Sequence, residues 1–154
     1  MPRESSEIRK DLLKIFHAAL RRVEGGSAVR RALARIPLEP SVSLIAVGKA
    51  ATAMAAGAVE AIGDRLEDGL LVTRQGYLTE PLPDVIRCLE SEHPVPGEKS
   101  LAAGEALLDY CQSLPKNRQA IFCLSGGASS LVEALKPGHT LADLQRLNQS
   151  LLSG

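Results

Sequence analysis

The spacing of apolar residues changes repeatedly along this chain, and each change marks a new element. Ile8, Leu12, Ile15, Phe16, Ala19, Leu20 and Val23 recur at three and four residues, which predicts an amphipathic helix. Gly25-Gly26 is expected to end it, Ser27 to cap a second short helix, and Pro37 to stop that one. The helical period then disappears. Residues 41–48, SVSLIAVG, form a continuous apolar run ending in glycine, the pattern of a strand buried on both faces. In the alanine-rich segment 49–63, helical spacing returns and places Ala51, Met54, Ala55, Ala58 and Ile62 on one stripe.

The alternation continues. GLLVT (69–73), VIRCLES (85–91) and QAIFCLS (119–125) read as three more buried strands. A helix is predicted from Ser100 to Cys111, with Leu101, Gly104, Leu107, Leu108 and Cys111 turned inward, and another over ASSLVEAL (128–135). Thr140 and Asp143 make a capping-box pattern that opens a last helix carrying Leu141, Leu144, Leu147 and Leu151. Buried strands separated by helices specify an α/β fold. The expected form is a Rossmann-like three-layer α/β/α arrangement with a mainly parallel sheet. Residues 1–40 would be its helical lead-in. Ligands of such sheets sit at the carboxyl ends of the strands. Gly48-Lys49, Thr73-Arg74, the His93 loop and Ser125-Gly126-Gly127 are therefore expected to meet. The apolar face of the last helix has no evident partner, as in one piece of a longer protein.

Composition narrows the class. The 154 residues are 45% hydrophobic and 23% charged, the balance of a folded domain and not of a disordered chain. No run of 18 apolar residues occurs, so no membrane span is expected, and the first 16 residues lack the apolar core of a signal peptide. Net charge is zero, with a basic excess in the first 40 residues. Those charges alternate in sign and aromatic residues are few, which favours a solvated helix face over a nucleic-acid surface. Cys88, Cys111 and Cys123 form no C-x-x-C and sit on apolar stretches, which suits core positions and a reducing cytoplasm. His17, His93 and His139 lack metal-ligand spacing.

Four features carry candidate chemistry. In IFCLSGGASSL (121–131), a strand gives way through two glycines to small residues. Adjacent glycines let backbone approach a ligand, and open N–H groups attract anions; a plain left-handed turn is the alternative. The stretch is neither a G-x-x-x-x-G-K-[ST] loop nor a G-x-S-x-G elbow. Lys49 begins a helix, where its charge opposes the macrodipole at a cost of roughly 0.3–1 kcal/mol. An anion between the lysine and the helix end would reverse that sign; a solvated lysine is the alternative. His93-Pro94-x-Pro96 is a loop stiffened by two prolines, fit to present the histidine or to bond it to the loop's own backbone. Arg74 follows a strand and is either a planar anion contact or a surface turn residue. No G-x-G-x-x-G is present, which argues against a nicotinamide-binding domain.

Five segments in order, VGKAATAM (47–54), VTRQGY (72–77), EHPVPGEKSLAAG (92–104), CLSGGASSLVEAL (123–135) and TLADLQRLNQSLLSG (140–154), resemble the glycerate 2-kinase family. Its C-terminal half is called the MOFRL domain, and many members carry the name hydroxypyruvate reductase. The resemblance covers residues 8 to 154. It implies that the chain is a truncated N-terminal α/β domain of a two-domain protein, with the MOFRL domain absent. The activity implied is ATP- and divalent-metal-dependent (Mg²⁺) phosphorylation of D-glycerate to 2-phosphoglycerate, in the cytoplasm. A homo-oligomer is left open, and no nucleic-acid or membrane partner is implied. Lys49 matches the family's catalytic lysine. Gly48, Ser125, Gly126, Gly127, Ser129 and Ser130 fall on its phosphate-binding segments, while His93 and Arg74 are placed near the active site. Metal ligands are unassigned. The pattern departs at two positions: Glu92 stands where the family commonly has glycine, and Gly97 where it commonly has aspartate. An NAD(P)H-dependent hydroxypyruvate reductase and a non-catalytic nucleotide-binding domain are the alternative readings.

Overall fold

Four apolar runs become one sheet. The computed structural model describes residues 5–153, with strands β1 (Val42–Val47), β2 (Leu66–Arg74), β3 (Ile86–Ser91) and β4 (Gln119–Leu124) in the order β3-β2-β1-β4. Every neighbouring pair is parallel, with Ile45 opposite both Leu70 and Phe122 in the ladders. Helices α1 (Ser5–Val23), α2 (Gly25–Leu33), α3 (Ala51–Ile62), α4 (Glu98–Ser113), α5 (Ala128–Leu131) and α6 (Leu141–Leu152) complete the fold. This is the expected three-layer α/β arrangement.

Side chains alternate across the sheet and divide the core in two. Leu44, Ala46, Leu71 and Cys123 face α2 and α3, packing on Val29, Leu33, Ala51, Ala55, Ala58 and Ile62. Ile45, Val47, Leu70 and Val72 face the other way, onto Ala103 of α4 and Leu131 of α5. All six residues of β1 are buried, because helices cover both faces and strands flank both edges. The chain runs outward from β1 through β2 to β3, then returns to place β4 on the opposite side of β1. That reversal makes the carboxyl ends of β1 and β4 a topological switch point, the crevice where open α/β sheets bind ligands.

Three elements differ from the sequence expectation, each for a physical reason. Gly25 and Gly26 lie inside α2 and do not end α1. The cap is Glu24, not Ser27: its carboxylate accepts from the amides of Gly26 and Ser27, both at 2.7 Å. The glycines are there for packing. A Cβ at Gly26 would lie 2.9 Å from the Ala53 carbonyl oxygen, and one at Gly25 2.9 Å from Met54 Cγ. Strand β2 begins at Leu66, ahead of its apolar run, because Asp68 is held by Tyr110 Oη and by Arg118 at 2.6 Å. Helix α5 stops at Leu131 and not at residue 135. The Glu133 amide instead donates to Ser100 O at 3.0 Å, in backbone pressed so closely on α4 that a Cβ at Gly104 would lie 2.7 Å from the Glu133 carbonyl carbon.

Two burial expectations fail as well: β4 is an edge strand in which Cys123 is buried while Phe122 and Leu124 are exposed, and Leu108 of α4 faces solvent. The Thr140–Asp143 capping box forms, with Thr140 N donating to Asp143 Oδ2 at 2.8 Å and Asp143 N to Thr140 Oγ1 at 3.2 Å. The three cysteines are free thiols, and burial pushes that of Cys123 up to about 11. Among the described residues no helix is long and apolar enough to cross a membrane. The apolar stripe of α1 buries none of its residues; Leu12, Ile15 and Phe16 are exposed, as are Leu147 and Leu151 of α6.

Gly57 of α3 tests the helix packing. A Cβ there would lie 2.5 Å from Gly26 Cα and closer still to its carbonyl oxygen. An ordinary exposed helix gains up to about 1 kcal/mol when glycine becomes alanine. Gly57→Ala is expected to lose about 1–3 kcal/mol instead, through overpacking. Urea unfolding reads the sign directly.

Candidate functional site

The site begins with the turn that leaves β1. Gly48 has φ 127°, a left-handed value that disfavours any side chain, and a Cβ there would sit 2.7 Å from the Ser125 carbonyl oxygen. The turn after β4 is thus laid directly against the turn after β1. Three bonds fasten them: Lys49 N donates to Gly126 O at 3.0 Å, Ala50 N to Ser125 Oγ at 3.0 Å, and Ser125 N to Val47 O at 3.0 Å. From beneath, the buried Thr73 hydroxyl donates to Gly48 O at 3.0 Å. The Ser125 hydroxyl therefore ties two turns together in this fold.

The loop after Ser125 has the opposite character. Among the described residues, the amides of Gly126, Gly127, Ala128 and Ser129 make no hydrogen bond to protein. Gly127 takes φ 85°. Successive open N–H groups in a turn with a left-handed residue are a known means of holding anions. The Lys49 stem runs alongside: Cβ atoms at Gly126 and Gly127 would lie 3.7 Å from Lys49 Cε and 3.5 Å from Lys49 Cγ. Lys49 is exposed and, among the described residues, has no ion-pair partner. Among the described residues the exposed Ser129 side chain makes no hydrogen bond, whereas Ser130 is buried and donates its hydroxyl to Gly127 O at 3.1 Å.

His93 closes one side. A Cβ at Gly127 would lie 2.5 Å from His93 Cδ2 and Nε2, so the imidazole rests on that glycine. Partial burial, then the charges of Lys49 and Arg74, hold His93 below the ordinary histidine value. Arg74 is exposed, with its guanidinium over the Tyr77 ring at 5.3 Å. The structure thus brings Gly48, Lys49, the 125–129 loop and His93 into contact, sets Arg74 within electrostatic reach, and turns Ser130 inward. Thr52 was not foreseen. Its hydroxyl donates to Tyr77 O at 2.7 Å and pins the 74–77 turn to α3; a threonine within an alanine-rich helix was the available signal.

An exposed ammonium beside open amides, with a second cation nearby, suits a phosphate or polyphosphate. A divalent metal that bridges substrate phosphates needs only one or two carboxylates from the protein. Among the described residues no group of three His, Cys, Asp or Glu stands together to hold one unaided.

Comparison with known proteins places the chain. A family model described as a domain of unknown function, DUF4147, matches residues 11–154. The chain belongs to this family. It is 34% identical over 149 residues to the D-glycerate 2-kinase of Thermotoga maritima, covering 97% of this chain and 35% of that protein. The crystal structure of a glycerate kinase from Thermotoga maritima superposes with a TM-score of 0.86, covering 96% of this chain and 35% of that one. A protein of Agrobacterium vitis carrying a hydroxypyruvate reductase name is 35% identical over 145 residues, with 94% of this chain and 32% of that protein covered. The chain spans about a third of the length of these relatives. The resemblance to the glycerate 2-kinase family drawn from five short motifs is borne out.

The imidazole provides a direct check on this geometry. An unfolded chain binds the histidine proton near pH 6.5, and the folded chain only at lower pH. Between those values the unfolded state holds more protons, so His93 costs stability as pH falls through that window. A histidine NMR titration is expected to give a His93 midpoint below about 6.5, moving upward in Lys49→Met. An ordinary midpoint unaffected by residue 49 would contradict the contact.

Proposed function

We propose that this chain supplies the phosphate-gripping half of an ATP-dependent D-glycerate 2-kinase that works in the cytoplasm. The observation carrying this reading is the meeting of Lys49 with the open amides of residues 126–129 at the switch point between β1 and β4. The names of the relatives supply the substrate. ATP would bring the transferable phosphoryl group. Lys49 would place a positive point charge on its oxygens, and the amides of Gly126, Gly127, Ala128 and Ser129 would hold the remaining oxyanions in fixed positions. Phosphoryl transfer depends chiefly on such positioning and charge neutralisation. Ser129 offers a further hydroxyl donor, and neutral His93 and cationic Arg74 would line the approach for the glycerate carboxylate. Gly48 and Ser125 act by holding the two turns together. Mg²⁺, when bound with the ATP phosphates, would supply further charge neutralisation.

The exposed apolar faces of α1 and α6 support the same reading. So does the open groove lined by Val29, Leu33, Met54 and Ile121 beside the edge of β4. Polypeptide equivalent to the remainder of the relatives' length, including a MOFRL domain, would cover such faces and complete the cleft. A hydroxypyruvate reductase is the second reading, favoured by the Agrobacterium vitis relative's name.

In the intact enzyme Lys49→Ala is expected to lower kcat by on the order of 10²-fold or more, with the fold retained by circular dichroism. A near-normal kcat would demote the lysine to a solvated surface residue. Formation of 2-phosphoglycerate should require ATP; consumption of NADH by hydroxypyruvate at 340 nm with no need for ATP would replace the kinase with the reductase.

A further inference from the structure

Glu92 does something that the residue at the start of α4 ordinarily does for itself. Gly97 is the N-cap of α4 and has no side chain with which to bind the first-turn amides. Glu92 reaches it from the far end of the loop. Its Oε2 accepts from Ser100 N at 3.0 Å and from the Ser100 hydroxyl at 3.4 Å. The same hydroxyl accepts from Gly97 N at 3.1 Å and from the Ser91 hydroxyl at 3.2 Å, and both serines are fully buried. A carboxylate is the favoured occupant of this position, both as acceptor and as charge against the helix dipole.

Position 97 and the Glu92 carboxylate also compete for the same space. A Cβ at Gly97 would lie 2.8 Å from Glu92 Cδ and 2.9 Å from its Oε1. The Gly97 backbone is extended, with φ −137°, so nothing in its conformation demands glycine. The carboxylate itself demands it. An aspartate at 97 would reach the Ser100 amide by the usual N-cap route, provided residue 92 left the space free.

We propose that Glu92 is a positioning residue. Its carboxylate caps α4 in place of a side chain at 97, and by tying residue 92 to Ser100 it closes the 91–100 loop and holds His93 against Gly127. Glu92 and Gly97 are then a coupled pair, because the carboxylate fits where it does only while residue 97 has no side chain. Only the link to His93 rests on the proposed function; the cap itself does not.

The test is a double-variant cycle in the full chain. Glu92→Gly alone should speed hydrogen exchange of the Ser100 amide by roughly fivefold or more, the effect of losing an N-cap. It should also move the His93 titration toward the ordinary histidine value. Gly97→Asp alone should be unfavourable as well, through crowding. Glu92→Gly with Gly97→Asp should return both readings to within about twofold of the parent, and Glu92→Gln, which keeps an acceptor, should stay close to it. Additive losses in the double variant, or an unchanged Ser100 amide and His93 in Glu92→Gly, would overturn the proposal. If Glu92→Gly does not fold, the double variant decides: folding with the parent's His93 titration supports the coupling, and failure to fold overturns it. Inorganic phosphate separates the two readings. Rescue in the double variant with no response of His93 to phosphate would sink the anion site and leave the cap standing.

Discussion

The site depends on how closely the turn after β1 can approach the turn after β4. Residue 48 has no side chain and a left-handed backbone, and the volume a Cβ would need there is occupied by Ser125. With that space open, Lys49 N reaches Gly126 O and Ala50 N reaches Ser125 Oγ. The two chain segments then part. Helix α3 packs on one face of the sheet and α5 on the other, so the ends of two hydrogen-bonded strands are left flanking a crevice. Bonds between the turns consume the amides of residues 49 and 50, and those of 126 to 129 stay open among the described residues. One interlock thus creates both the rigidity of the site and its unsatisfied donors.

Charge around the crevice is arranged to match. Lys49 and Arg74 are exposed, and neither is engaged in an ion pair among the described residues. Two nearby carboxylates are turned to backbone duty. Glu90 accepts from Gly76 N at 2.7 Å, and Glu92 accepts from Ser100 N. Acidic side chains bound in this way steady the loops carrying Arg74 and His93 and stay out of the path of an anion. Partial burial and the two cations bias His93 toward its neutral form, which lessens the charge repulsion beside them.

The parts of this fold that the sequence made legible are those where one environment dictates residue type. Strand β1 is enclosed on every side, so its six positions are apolar and unmistakable. Lys49 stood out because its charge is unfavourable at a helix start, and the glycine pair at 126–127 because it follows an apolar run. Misreadings came where a residue serves a partner distant in sequence. Gly25 and Gly26 look like a helix terminator and are instead contact points for α3. The first turn of β2 is polar because Asp68 answers to Tyr110 and Arg118, 42 and 50 residues away. The cap of α4 lies eight residues from the amide it binds, beyond any local capping rule. The apolar stripes of α1 and α6 predicted helices correctly but not packing, since neither helix buries any of its described residues.

The central claim is that the 126–129 amides and Lys49 form one polyphosphate cradle. A ¹H–¹⁵N titration of the protein with tripolyphosphate tests it without requiring turnover. The account predicts saturable shifts that are largest at Gly126, Gly127, Ala128 and Ser129, with Lys49 following at the same midpoint. Shifts concentrated on the basic residues of α1 with none at 126–129, or no saturation at all, would contradict it.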